Sequence, residues 1–372
     1  YVRGAIGEHV AFIFPPLILW SLDRKKWVLV ALSVAGLVLS HNAVSLMFAP
    51  VIVLYILYRH RSFLPVALGL WISAFFWIPA LLEGKYTLRD IVTNEDFARR
   101  FVNFSELLYA PGNALSKELG IVGLLIICAA IYWFFKIKEK RFVGGVLFIS
   151  AASIFLMLPQ SQIIWQKLTI LQKFQFPWRF LHLTVFCVAV LGGFVMSKVK
   201  NQLSLAVLIT IGLLISTFSM WKANEYRVYP ESFFTGVYRS TTDTGESSPI
   251  WSIRFMEREP AAPIEVIQGN AQIELGLRNT TRREYKIAAE TRSRILENTL
   301  YFPGWLVLVD RQNVPIEFQD PSHRGLITFF VDPGIHDISI QFTHTKLRLY
   351  SDVLSLGGLV LLAGILIYNK RL

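Results

Sequence analysis

Apolar residues along this chain gather into long runs at about 9–22, 27–40, 43–58, 63–82, 119–135, 142–158, 180–197, 203–221 and 353–369, and short polar loops separate most of them. A helix that is hydrophobic on every side belongs in a core or a bilayer, and crossing a bilayer takes roughly 20 apolar residues. The runs predict nine transmembrane helices. Between the last two, at 222–349, the pattern changes to short alternating stretches: Trp251–Met256, Ile264–Ile267, Ala271–Leu277, Glu284–Ala289, Leu300–Val309, Pro315–Phe318, Leu326–Val331 and Ile335–Thr343. Turn signals such as Gln268-Gly269-Asn270 and Asp332-Pro333-Gly334 punctuate them. Many short strands at this spacing predict an antiparallel β-sandwich. The expected architecture is a helical bundle over 1–221, a β-sandwich over 222–349 and a C-terminal helix over 350–372.

Composition agrees with a membrane chain that carries a sizeable polar portion: 53% hydrophobic residues and a mean hydropathy of +0.47. The first residue, Tyr1, is not a start methionine, and further sequence is expected upstream. Cys128 and Cys187 both fall inside apolar runs. They predict no disulfide in an exposed domain, and no cysteine–histidine spacing suggests zinc.

The net charge of +11 lies entirely in five short segments: Arg24-Lys25-Lys26, Arg59 with Arg61, Lys136 through Arg141, Lys198 with Lys200, and Lys370-Arg371. Together they hold 13 positive residues against Asp23 and Glu139. Alternating nine helices puts all five on one side, which the positive-inside rule makes cytoplasmic. The basicity is therefore a topology signal, and nucleic acid is excluded as a partner. The outer side receives the N-terminus, the His41-Asn42 turn, loop 83–118, segment 159–179 and the sandwich. Loop 83–118 reads as one or two short surface helices. The bilayer is the first expected partner.

The helix interiors contain no Asp, Glu, Lys or Arg, which argues against a pump or ion-coupled carrier. Polar residues collect instead at the outer helix ends. Phe174-Gln-Phe-Pro-Trp-Arg179 closes a segment, 159–179, with three positive residues and no acidic one. Pro177 suits a helix start. Arg179 and Lys173 either hold the phosphate of a lipid head group or snorkel beside an aromatic belt. His182 adds a donor to the same rim or is an inert boundary histidine. Arg3 and Glu8 precede the first run; Glu8 is either a base or metal ligand, or a carboxylate favoured by the helix dipole. His41 and Asn42 bind substrate or form a turn. Pro50 is expected to kink its helix. In the sandwich, Trp251, Tyr301 and Trp305 stack on sugar or fill the core. No cofactor is evident, and a divalent metal is left open.

Tyr1-Val-Arg-Gly4 with Glu8, Ser40-His41-Asn42, Gln175-Phe-Pro-Trp-Arg179, Thr241–Trp251 and Tyr301-Phe-Pro-Gly-Trp305 resemble a bacterial family of large membrane proteins labelled 6-pyruvoyl-tetrahydropterin synthase-related, which is similar to the GT-C glycosyltransferases. Pterin synthases are soluble zinc enzymes, and the seven histidines here offer no comparable ligand set. The resemblance implies an integral-membrane transferase of the bacterial cytoplasmic membrane. Such an enzyme takes sugar from a polyprenyl-phosphate donor at the outer face and passes it to a glycan or protein acceptor. It implies that the catalytic acid lies upstream of Tyr1, and it carries over only the rim set Arg3, Glu8, His41, Asn42, Arg179 and Glu246. Glu8 and Glu246 are the carboxylates available to assist. The competing expectation is a non-catalytic envelope protein that displays a polysaccharide- or partner-binding sandwich or assists export of lipid-linked sugar.

Overall fold

A computed structural model of the chain describes residues 5–94, 97–108, 117–218, 226–231, 245–253 and 260–369. The chain divides into two compact units, Tyr1–Gly69 with Thr93–Val228, and Leu70–Val92 with Tyr229–Leu372.

Every apolar run carries helix. The first is broken: α1 (Ile6–Ala11) stops and α2 (Phe14–Asp23) restarts with Pro15 and Pro16 in its first turn, where missing N–H groups cost nothing. Then come α3 (Trp27–Ser40), α4 (Asn42–Tyr58), α5 (Leu64–Ile72) and α6 (Ala74–Leu82). Loop 83–118 contributes α7 (Arg89–Asn94) and α8 (Phe104–Leu108) with two 3-10 turns. Next are α9 (Gly120–Lys136), α10 (Arg141–Met157), the short α11 (Gln162–Lys167) and α12 (Thr169–Gln172), then α13 (Leu181–Met196) and α14 (Gln202–Thr217). The last helix, α15, is Lys346–Asn369. In the first unit Ile18, Val34, Phe48, Met157, Trp165 and Trp178 belong to one buried apolar cluster.

Among the described residues two helical stretches are long and apolar enough to cross a membrane, Pro177–Met196 and Lys346–Tyr368. Two bent pairs raise the number to four if each is one span: α5 with α6 at 73°, and α10 with Pro159–Lys167 at 89°. This is fewer than the nine expected. The reason is length. The 14 residues of α3 and the 17 of α4 and of α9 rise about 21–26 Å at 1.5 Å each, short of a hydrocarbon core of about 30 Å. Breaks do the rest. At Ser73 the serine hydroxyl and the Trp77 indole both donate to the Leu70 carbonyl and close α5. At Pro159 the preceding Leu158 is forced into an extended conformation. Pro50, by contrast, lies inside α4 without interrupting it.

Among the described residues the second unit holds eight strands, β1 (Ile264–Gln268), β2 (Ala271–Arg278), β3 (Arg282–Ala289), β4 (Ser293–Leu300), β5 (Trp305–Val309), β6 (Gln312–Val314), β7 (Leu326–Val331) and β8 (Gly334–Phe342). They form two open antiparallel sheets, ordered β1-β4-β7 and β2-β3-β8-β5-β6. Ile264, Ile295 and Phe329 from one sheet share a single buried core with Ile287, Val307 and Ile340 from the other.

The strand expectations differ from this in detail. The stretch Leu300–Val309 is cut by a turn, because Pro303 cannot donate to a ladder and Gly304 takes φ +117°. A side chain at Gly304 would come within 2.7 Å of the Thr343 carbonyl. The strand β4 keeps the alternation of faces but sets polar Ser293 and Glu297 beside Ile295 on the inner face, and both are fully buried. Pro315–Phe318 yields only a bridge between Glu317 and Thr328. Trp251–Ile253 is not strand, and the rest of that stretch, like Thr241–Thr244, lies outside the described residues.

Candidate functional site

Three residues from distant parts of the sequence meet in the first unit. Glu8 stands in the first turn of α1, where a carboxylate faces the positive end of the helix dipole. It is 4% exposed. Its Oε1 lies 3.3 Å from Nε of Arg179 and 3.6 Å from Nε2 of His41.

Local structure fixes each partner. His41 is extended and caps α4: its Nδ1 accepts the Val44 N–H at 3.3 Å. That bond assigns the ring proton to Nε2, the nitrogen that faces Glu8. Arg179 lies in the 3-10 turn Pro177–Phe180 that runs into α13. Its Nη1 donates to the Phe174 carbonyl at 2.8 Å and to Gln175 Oε1 at 3.1 Å. These bonds close a turn in which Gln175 takes φ +63°, a left-handed conformation rarely adopted by a non-glycine residue. The guanidinium also lies over the Phe176 ring, 4.8 Å from its centre, and Phe176 stacks on Trp178.

Other residues of the cluster were not expected from the sequence. A side chain on Gly7 would sit 2.7 Å from the Ser40 carbonyl, so the approach of α1 to the end of α3, which sets Glu8 beside His41, requires glycine. Arg100, exposed in loop 83–118, brings a second guanidinium to Phe176 at 5.5 Å. A glycine next to the carboxylate was the available signal for the first; nothing local marks the second.

The remaining candidates are placed as follows. His182, one residue into α13, meets Phe12 edge-on at 4.9 Å. Asn42 is exposed at the first position of α4, and Lys173 is exposed two residues before Gln175. Arg3 lies outside the described residues. Glu246 belongs to the other unit, where it lines a cleft of about 280 Å³ with Glu83, Arg89 and Phe302. Trp305 is buried against Phe342 and Arg283, while Trp251 and Tyr301 pack on Phe318.

The far end of α4 is built differently. Asp23, at the end of α2, accepts Tyr55 Oη at 2.7 Å and Arg59 Nε at 2.9 Å, and Arg61 Nη2 donates to its backbone carbonyl at 3.0 Å. About 25 Å of helix separates this basic end from the His41 end. Among the described residues no group of three or more His, Cys, Asp or Glu side chains is placed to hold a metal ion. The Glu8 cluster is thus a carboxylate between a guanidinium and an imidazole N–H, set at the ends of apolar helices. Such a set can bind an anionic head group or take a proton from a hydroxyl.

Comparison with family models, with curated proteins and with solved structures finds no match.

Proposed function

We propose that this chain is part of an integral membrane protein of the bacterial cytoplasmic membrane that handles a polyprenyl-phosphate-linked sugar at the outer face, in the manner of a GT-C glycosyltransferase. The observation that carries the reading is the meeting of Glu8, His41 and Arg179 at one end of α4, opposite the Asp23–Arg59–Arg61 group at the other. A basic group at one end of α4 and the carboxylate cluster at the other fit the charge asymmetry that the positive-inside rule expects between an inner side and an outer rim. In this reading the shorter apolar helices cross with the two long ones, and the sheets lie outside.

Each residue then has a chemical task. Arg179 meets the donor phosphate, since a guanidinium binds phosphate bidentately and opposes charge on the leaving group. His41 Nε2–H and Glu8 hold the sugar or acceptor hydroxyls, and Glu8 keeps Arg179 aimed before substrate arrives.

Non-catalytic display or export is the second reading. It is favoured by the bonds that already hold Arg179 to Phe174, Gln175 and Glu8, since a structural clamp would make the same ones. Binding of a polyprenyl-phosphate sugar to full-length protein in nanodiscs separates the two. Arg179→Lys removes the planar fork but keeps the charge, and loss of one charge-assisted bond of about 1.5–3 kcal/mol lowers affinity roughly 10- to 150-fold. Arg179→Ala loses at least as much. Wild-type binding by both variants, at unchanged melting temperature, removes Arg179 from the site and leaves the clamp.

A further inference from the structure

After α10 the chain turns by 89° into Pro159–Lys167 and continues through α12 to Pro177. One side of this elbow is pinned. Trp165 is fully buried, donates its indole N–H to the Leu156 carbonyl at 3.0 Å, stacks on Phe97 at 5.8 Å, and meets Phe101 and Phe180 edge-on. The other side is bare and apolar: Ile163 is 63% exposed, Leu168 52% and Ile170 50%. Lys167 and Lys173 are exposed among them, and no acidic residue occurs between 159 and 179.

We propose that α11 and α12 form an in-plane elbow seated in the interfacial layer of the bilayer. Ile163, Leu168 and Ile170 enter the upper acyl chains, and Lys167 and Lys173 meet lipid phosphates. The inference rests on the membrane reading above and adds a specific lipid contact to it. Three arguments carry it. First, α10 is one arm of a bent apolar pair, and an 89° turn at the end of a helix standing across a membrane lays the next helix along the surface. Second, three large aliphatic side chains exposed within eight residues are costly in water but suit the head-group boundary, where short amphipathic segments with Lys on the polar side bind. Third, a purely cationic segment complements anionic lipid and offers nothing that repels it. A functional consequence follows. The elbow ends at Phe174-Gln175-Phe176, so its seat in the interface fixes the depth at which Arg179 waits for a head group.

The test uses the full chain with Cys128 and Cys187 replaced by alanine, in vesicles of phosphatidylcholine and phosphatidylglycerol. Single cysteines carrying a fluorophore replace Ile163, Leu168 or Ile170. Phe148, 74% exposed on α10, and Leu275, 62% exposed on β2, serve as references. Quenchers are lipid nitroxides placed near the head group or near the chain end, and a water-soluble nitroxide. Positions 163, 168 and 170 should be quenched several-fold better by the shallow lipid nitroxide than by the deep one, position 148 by the deep one, and position 275 from water alone. Quenching of the elbow only from water overturns the inference and leaves the membrane reading standing. Best quenching by the deep nitroxide also overturns it, in favour of a re-entrant loop. Should position 148 also be reached from water alone, the membrane reading itself falls.

Discussion

Each unit buries a carboxylate against an arginine, and the two pairs are built for different ends. In the sheets Glu297 has no exposed surface; Tyr285 Oη and Thr299 Oγ1 donate to it at 2.8 and 3.1 Å, and Arg283 Nε and Arg278 Nη2 approach to 2.9 and 3.6 Å. Arg283 lies over the Trp305 ring. Burial, with Glu297 adding to it, pushes the Tyr285 phenol well above its usual range. Burial pulls the Arg283 guanidinium down, against the opposing pull of Glu297. In the helices Glu8 is nearly as buried, and each carboxylate has partners that reach the surface: the side chain of Arg278 is 44% exposed, that of Arg179 12% and that of His41 25%. Burial of an ion pair is therefore not what marks a site. Glu297 accepts two hydroxyl hydrogen bonds and lies beside two arginines, all four partners on strands of the sheets. Glu8 faces groups at helix ends, held by a left-handed Gln175 and a glycine that only close approach requires.

The comparison breaks first at Glu297. Glu297→Ala leaves Arg283 buried without its counter-charge, and the expected loss of stability is about 3–5 kcal/mol in thermal or denaturant unfolding of the full chain. Glu297→Leu with Arg283→Met removes both charges, and should recover most of that loss. A double variant as unstable as the single one would show that the network does more than fill a core. Glu8→Gln keeps the shape and removes the charge. Its expected cost is smaller, about 1.5–3 kcal/mol, with a larger loss of head-group binding than of stability. Equal stability losses at the two carboxylates, with binding intact, would place Glu8 in the same structural class as Glu297.

Gly7→Ala sharpens the same contrast without touching a charge. The added methyl meets the Ser40 carbonyl at 2.7 Å, so α1 must move, at an expected cost of about 1–3 kcal/mol. Movement of α1 carries Glu8 from His41, and binding of a polyprenyl-phosphate sugar should weaken in proportion. Unchanged binding in a destabilised variant would show that the position of α1 does not set the site.

How much of this the sequence discloses depends on the range of the interaction. Helix positions follow from apolar runs, since burial of a run is decided locally. Span number does not, because Pro15, Ser73 and Pro159 break or shorten helices by amounts that hydropathy does not register. Strands β1, β2, β3, β7 and β8 are legible by alternation. The strand β4 is hidden because Glu297 sits inward, and only Arg283 and Tyr285, brought in by the pairing of other strands, make that tolerable. The candidate residues Glu8, His41 and Arg179 stand out by type and by place at helix ends. Their meeting is not legible, since 33 residues separate Glu8 from His41 and 138 separate His41 from Arg179. Arg100 is one basic residue in a loop of mixed charge, and nothing in its neighbours sets it apart.

The smallest expected effect comes from an ion pair that is exposed, and it sets the lower end of the scale. His336 on β8 places Nδ1 2.7 Å from Asp310 Oδ2 and Nε2 3.0 Å from the Asp332 carbonyl. Asp310 and Arg311 form the tight turn between β5 and β6, both with positive φ, and Asp310 Oδ1 also accepts the Asp337 N–H. With acceptors at both ring nitrogens, and the Asp310 bond the larger cause, the imidazole is raised above its ordinary 6.5. The His336 hydrogen bond, and then the Asp337 N–H, hold the Asp310 carboxyl below 3.8. The signs follow by linkage. A raised histidine contributes stability that is complete below 6.5 and lost as pH rises through the folded value; a lowered carboxyl contributes stability present above 3.8 and lost as pH falls through its folded value. The pair therefore contributes most between those ordinary values. The melting temperature of the wild type minus that of His336→Ala should be greatest near pH 5, and should shrink by about pH 9 as the imidazole loses its charge. The gap should remain small throughout, since half of the Asp310 side chain faces water. A gap that stays level across the range would mean that His336 acts by its shape in the turn, and not by its charge.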